Sequence, residues 1–210
     1  MSRKNKFVRK HLSFGNFYRL IDCLMLFGAR IQPQKNGYYL VLQRQKAQQT
    51  ALIWAIMVAE SQDFSFNFLT FHLEITPRGL RGRTANTKFL ECARERWYPD
   101  GCLRVPPDLA VDEKVLLFWL VGSWKLQNGP IFLPVTGTNI AGCRKLAAQI
   151  TELVSWPAVV SQPGQIVIPA RVRRDAGMWM RRMGVPEKVY RVQDPEKTKK
   201  SPLTHFSFKS

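Results

Sequence analysis

The chain has 210 residues, 32 of them Lys or Arg against 15 Asp or Glu, which gives a formal charge of +17; 45% of it is hydrophobic and 11% aromatic. That length and apolar content suit a globular protein with a real core, either one ordinary domain or two small halves sharing it. The excess of positive charge points to a polyanionic partner, and the longest apolar runs, such as Val115–Val121, fall far short of the ~18–20 residues that a membrane span needs.

The four cysteines, Cys23, Cys92, Cys102 and Cys143, form no C-x-x-C pair and have no histidine at ligand spacing. Neither a zinc site nor a disulfide framework is expected, and the thiols read as reduced and mostly buried. Residues Met1–Lys10 are basic but lack an apolar h-region, so they do not decide the compartment or whether a transit peptide was removed.

In chain order, Phe17, Leu20, Leu24 and Phe27 share one helical face, with Ile21 and Met25 beside them, and Gly28 can end that helix. Arg30–Gln34, Asn36-Gly37 and Tyr38–Leu42 read as strand, tight turn and strand. A second helix is expected over Ala47–Ala59. Phe64, Phe66 and Phe68 alternate with polar residues, as do Phe71, Leu73 and Ile75, which suggests a second hairpin with one buried face. A basic, glycine-containing loop, Pro77–Arg83, would follow it. Phe89, Leu90, Ala93 and Trp97 mark a third helix, closed by the turn Tyr98-Pro99-Asp100-Gly101.

The second half begins with Val115–Val121, a helix apolar on every side that must be buried all round, halted at Gly122-Ser123. Trp124–Gln127, Asn128-Gly129 and Ile131–Val135 again give strand, turn and strand. Ile140, Cys143, Ala147, Ile150 and Val154 stripe one helix, with Thr138 or Asn139 as its N-cap. Trp156–Val160 and Gln165–Pro169 form a hairpin through Gln162–Gly164, Arg173–Met183 a last helix, and the charged tail from Gln193 an extended arm.

The order therefore repeats. "FGARIQPQKNGYYLVL" and "VGSWKLQNGPIFLPV" each place a glycine at a helix end, a polar strand with Gln, an Asn-Gly turn and an apolar return strand. Neither half can bury its own apolar first helix, so the two helices should pair at a pseudo-two-fold axis. The fold class expected is α+β, two αββαββα halves over residues 13–107 and 108–192, flanked by a basic arm (1–12) and a basic tail (193–210).

This doubled unit resembles the LAGLIDADG homing endonucleases and maturases, in particular the branch found in organellar introns. The matching stretches are "LIDCLMLFGARI" (Leu20–Ile31) and "LLFWLVGSW" (Leu116–Trp124), with Trp119 where that branch often has Trp, and "RWYPDGCLRVPPDL" resembles its lead-in to the second motif. The likeness spans about Ser13 to Arg191. It implies two curved sheets forming a nucleic-acid-binding saddle, and an acidic residue ending each motif that holds divalent cations at the groove floor. Gly28 and Ser123 occupy those acid positions here. No Asp or Glu occurs from Cys23 to Ala59 or from Lys114 to Thr151, so both metal sites are expected to be missing, with no metal, no cofactor and no enzymatic activity.

The saddle residues that the resemblance implies are Arg30, Gln32, Gln34, Lys35 and Arg44 in the first hairpin and Lys125, Gln127 and Arg171 in the second half. Arg78, Arg81 and Arg83 would add a loop cluster, and Arg173, Arg174, Arg181 and Arg182 the last helix. Trp54, Trp97, Trp119 and Trp179 read as core, whereas Trp124, just past a helix end, is a candidate for base stacking or wedging. His11, His72 and His205 read as structural or exposed, and Asp22 as a buried, paired carboxylate without a nameable partner. Ser123 has no visible base and is no nucleophile. Three functions follow. One is a structural protein on ribosomal RNA in an organelle, mitochondrion or chloroplast, beside other ribosomal proteins; this suits the basic ends Ser2–Lys10 and Lys197–Lys209. Another is a maturase on intron RNA, and the third a DNA endonuclease with displaced acids. A monomer with internal pseudo-symmetry and no membrane contact is expected in each.

Overall fold

The computed structural model describes residues 17–45, 48–62, 69–85, 87–124, 129–135, 137 and 140–190. In order these form α1 (Phe17–Phe27), β1 (Arg30–Gln34), β2 (Gly37–Arg44), α2 (Gln49–Glu60), β3 (Phe71–Thr76), β4 (Gly79–Thr84) and α3 (Glu91–Trp97). The second half contributes α4 (Glu113–Ser123), β5 (Ile131–Pro134), α5 (Ile140–Val154), β6 (Val159–Gln162), β7 (Gln165–Ile168), α6 (Arg173–Arg182) and a short α7 (Glu187–Tyr190). Single 3-10 turns, Lys88–Leu90 and Ala170–Val172, lead into α3 and α6.

The first helix stops where glycine allows it. Gly28 takes φ +110°, and the amides of Gly28 and Ala29 both donate to the carbonyl of Leu24, at 3.1 and 2.9 Å, closing the last turn. Asp112 starts α4 as its N-cap, accepting from the amides of Lys114 and Val115 at 3.0 and 2.8 Å. Every residue from Val115 to Val121 is buried, as a helix apolar all round requires. It is buried by pairing with α1. A Cβ at Gly122 would lie 2.5 Å from the carbonyl oxygen of Phe27, so only glycine permits this approach. Phe27 and Phe118 meet edge to face, 6.3 Å apart, and Trp54 of α2 reaches across to Phe118 with ring centroids 5.0 Å apart. One core therefore runs through both halves.

The first sheet is antiparallel in the order β1-β2-β4-β3 and the second in the order β5-β7-β6. β2, β4 and β3 correspond in order to β5, β7 and β6. Residues 125–128, where the counterpart of β1 is expected, lie outside the described residues, as do Phe64–Phe68, Thr138, Asn139 and both basic ends. Among the described residues no helix is long and apolar enough to cross a membrane.

Three expectations change. Pro77–Arg83 is not a loop: β3 pairs with β4 through the tight turn Pro77-Arg78, in the register Thr76 to Gly79 through Phe71 to Thr84. The glycines in this stretch admit neighbours rather than break the strand. A Cβ at Gly79 would lie 2.2 Å from the carbonyl oxygen of Arg44, and one at Gly82 would lie 2.6 Å from Cδ1 of Ile56. The first hairpin turns on Lys35 and Asn36, with Gly37 (φ +147°) opening the return strand. Finally, Cys23 and Cys143 are buried but Cys92 and Cys102 are exposed.

Gly122→Ala should force the helix pair apart and lower stability by ~1–3 kcal/mol, read as a shift in the urea midpoint. Thiol titration of the native protein should modify Cys92 and Cys102 rapidly. Cys23 should stay protected until unfolding, because burial raises its thiol pKa well above the usual value.

Candidate nucleic-acid interface

Strand alternation decides which side chains leave the core. On the first sheet Ile31, Leu40, Leu42 and Phe71 point inward, so their neighbours form the opposite face. The register sets Arg30, Val41, Arg83 and His72 in one row across all four strands and Gln43, Arg81 and Glu74 in the next. Arg83 is held in place before any ligand arrives: its guanidinium lies over the Tyr39 ring, 3.9 Å from the centroid, and donates to Oε1 of Gln34 at 2.8 Å. The Tyr39 hydroxyl in turn donates to Oε1 of Gln32 at 2.6 Å. Gln32, Gln34 and Arg83 are thus linked through Tyr39 on one face, and Arg81, expected in a loop, stands on the same face of β4.

The other candidates separate from this group. Arg78 is exposed in the β3–β4 turn, and Lys35 in the β1–β2 turn. Arg44, expected on the outer face, falls on the inward side of β2, opposite Leu80. There its guanidinium reaches the seam between α1 and α4: Nη2 donates to the carbonyl of Gly122 at 3.4 Å, Nη1 to that of Gln43 at 3.2 Å, and Cζ stands 4.5 Å from the centroid of Phe27. Desolvation and, second, the neighbouring Arg30 lower its pKa to about 10, which still leaves it cationic at neutral pH.

In the second half Arg171 and Arg174 are exposed at the start of α6, where a helix dipole disfavours cations. Arg173 turns inward, 4.5 Å over the Trp124 ring, and donates to the carbonyl of Gly129 at 3.0 Å. Trp124, expected to be open to a base, is 8% exposed and also meets Tyr190 edge-on at 6.0 Å; its ring is part of the protein's own packing. Trp54, Trp97 and Trp119 are buried, and Trp179 is half-buried against Trp156. Lys125 and Gln127 lie outside the described residues. The outward face of the second sheet's described strands carries no cation: Phe132, Val167 and Val159 stand in register in one row and Pro134, Gln165 and Gln162 in the next.

Asp22 of α1 and Asp112, the N-cap of α4, have structural partners. Oδ1 of Asp22 accepts from the Arg96 guanidinium and, at 2.9 Å, from Nε1 of Trp97. Arg96 also bridges Asp108 at 3.2 Å. Asp112 caps α4 and pairs with Arg19 at 2.8 Å. It therefore sits at the opposite end of an 11-residue helix from Ser123, on the order of 16 Å away.

A divalent-ion pair does not fit the two helix ends that meet at the seam. Phe27, Gly28, Gly122 and Ser123 supply no carboxylate. A Cβ at Gly28 would lie 2.8 Å from Nη2 of Arg44, so the guanidinium fills the space a side chain there would need. Among the described residues no group of three or more His, Cys, Asp or Glu could hold a metal.

With this geometry established, comparison with known proteins bears on the fold. The homing endonuclease I-WcaI, solved bound to its DNA recognition sequence, superposes with a TM-score of 0.58 over 91% of this chain and 93% of its own, at 14% identity. The chain has a homing endonuclease fold. No family model matches the sequence. An uncharacterized protein of Methanocaldococcus jannaschii is 38% identical over 45 residues, which is 21% of this chain; the chain spans 18% of that relative's length.

Replacing Asp22 with Ala strands the Trp97 N–H and the Arg96 guanidinium. The expected loss is ~1.5–3 kcal/mol, measured by chemical denaturation, with nucleic-acid affinity at 25 °C unchanged.

Proposed function

We propose that this protein holds folded RNA on its saddle without cutting nucleic acid, and that its target is ribosomal RNA in the mitochondrion. The observation that carries the reading is the pairing of a cationic face, Arg30, Arg81 and a restrained Arg83 across the first sheet, with a seam whose described residues offer no carboxylates to a cation. Such a surface neutralises phosphates and releases counterions, which is enough for binding. Hydrolysis would need a held metal ion or an activated water, and Asp22 and Asp112 are committed to Arg96, Trp97, Arg19 and the α4 N-terminus.

The asymmetry of the saddle supports RNA. A duplex gripped about a pseudo-two-fold axis calls for cations on both sheets, yet the described strands of the second sheet present Phe132, Val159 and Val167. An apolar flank of this kind suits a target embedded among other macromolecules, as in a ribosome. The basic residues of Ser2–Lys10 and Lys197–Lys209 suit contacts with RNA segments beyond the saddle. A duplex-DNA target is the second reading, favoured by the DNA bound to I-WcaI.

In filter binding at 0.1–0.2 M salt, the full chain should retain structured RNA more tightly than duplex DNA, and it should co-sediment with ribosomal subunits. The double change Arg81→Ala/Arg83→Ala should flatten the salt slope by about 2, roughly one per lost phosphate contact. An unchanged slope would remove this face from the interface. Magnesium-dependent cutting of a plasmid library that is lost in Asp22→Asn or Asp112→Asn would establish an endonuclease instead.

A further inference from the structure

The seam between α1 and α4 carries a cation, Arg44, where the resemblance to endonucleases implies anions, and a second cation stands at its rim. Arg44 reaches the seam from the end of β2; exposed Arg30, at the start of β1, folds back so that its Nη1 donates at 3.0 Å to the carbonyl of Ala29, next to Gly28. A guanidinium has five N–H donors, and Arg44 places two of its nitrogens on long contacts, to Gly122 and Gln43. Its buried Nε has no hydrogen-bond partner among the described residues.

Burial and, second, the charge of Arg30 both oppose the cation at Arg44, and no acidic group among the described residues offsets either effect. The partial negative charge at the C-termini of α1 and α4 keeps the arrangement tolerable in the free protein. An anion arriving from the groove would relieve it.

We propose that Arg44 and Arg30 form a seat for one backbone phosphate of the bound nucleic acid, at the place where an endonuclease would hold divalent ions. The inference rests on the nucleic-acid-binding reading given above. Arg44 contributes a charge prearranged by the Phe27 ring and the Gly122 carbonyl, and exposed Arg30 closes over the phosphate from the rim. Gly28 lets the guanidinium approach the helix end closely: a Cβ there would lie 2.8 Å from Nη2 and push Arg44 aside. The seat needs no metal: the charge that a cation would bring is supplied by the chain itself.

The test uses the full chain, a folded RNA hairpin of about 40 nucleotides as probe, and the variants Arg30→Gln, Arg44→Gln and the double variant. Each single change should lower the salt slope by about 1 and the double by about 2, with affinity at 0.1 M salt falling ten- to a hundredfold in the double variant. Arg44→Lys, which keeps the charge and loses the fork, should retain part of the affinity. The Nε–Hε resonance of Arg44 in ¹⁵N-arginine-labelled wild type should shift on addition of the hairpin; this measurement serves even if Arg44→Gln fails to fold.

A lower melting temperature with an unchanged slope, or an Arg44 resonance that ignores saturating RNA, would reduce Arg44 to a helix cap and overturn the seat. If wild type binds neither the hairpin nor a duplex DNA with salt-dependent affinity, the function proposed above fails with it. Steep binding by wild type that the double variant matches overturns the seat alone.

Discussion

Two helices that are apolar on nearly every side cannot each lie against solvent, and the fold depends on how they solve this together. α1 and α4 bury one another so closely that the backbone at Phe27 leaves no room for a side chain at Gly122. Because close packing of this kind tolerates little displacement, the helix ends, and with them the inner edges of both sheets, are set in position by a single contact. Trp54 crossing to Phe118 ties α2 to the same axis, and the Trp119 indole, donating to the carbonyl of Pro134 at 3.1 Å, ties the second sheet to it.

That contact also determines what can happen at the groove floor. It brings two helix C-termini together, a place of partial negative charge with carbonyls to satisfy. Carboxylates at such a place require metal ions to offset them. This chain offers glycine, serine and a phenylalanine ring instead, and a single long side chain from β2, Arg44, satisfies a carbonyl and supplies positive charge together. One half thus places its cation on the other half's helix end. The seam therefore carries positive charge where two helix C-termini meet.

The two faces of the saddle differ more than the repeat suggests. The first sheet commits four of its outward positions to a restrained network, Gln34 to Arg83 to Tyr39 to Gln32, which orders the Arg83 guanidinium before binding and so lowers the entropy lost on association. In the second half the described strands turn valine and phenylalanine outward, and the cations cluster instead on Ala170–Arg174 and along α6. Among the described strands, the likeness of the two sheets in backbone order is not matched in their outward charge.

Much of the architecture was legible in the residues: the helix stop at Gly28, the all-buried Val115–Val121, the first strand–turn–strand and two α+β halves, each with an antiparallel sheet, all follow from periodicity and turn chemistry. The lack of acids near either helix end was likewise visible, since it is a statement about composition over a stretch. What periodicity could not supply was the reason for a residue. Gly79 and Gly82 read as loop signals because glycine favours turns, yet they serve close packing against Arg44, Gln45 and Ile56, which only the assembled sheet reveals. Arg44 read as one more outward cation, although alternation along β2 places it with Leu42; its partners lie on α1 and α4, distant in sequence. Asp22 was recognisable as a buried carboxylate, but Arg96 and Trp97 come from a helix some 75 residues on, and Trp124 became core only when α6 and α7 closed over it. Local order along the chain is written in the sequence; which charge meets which depends on contacts between segments far apart, and those exist only once the chain has packed.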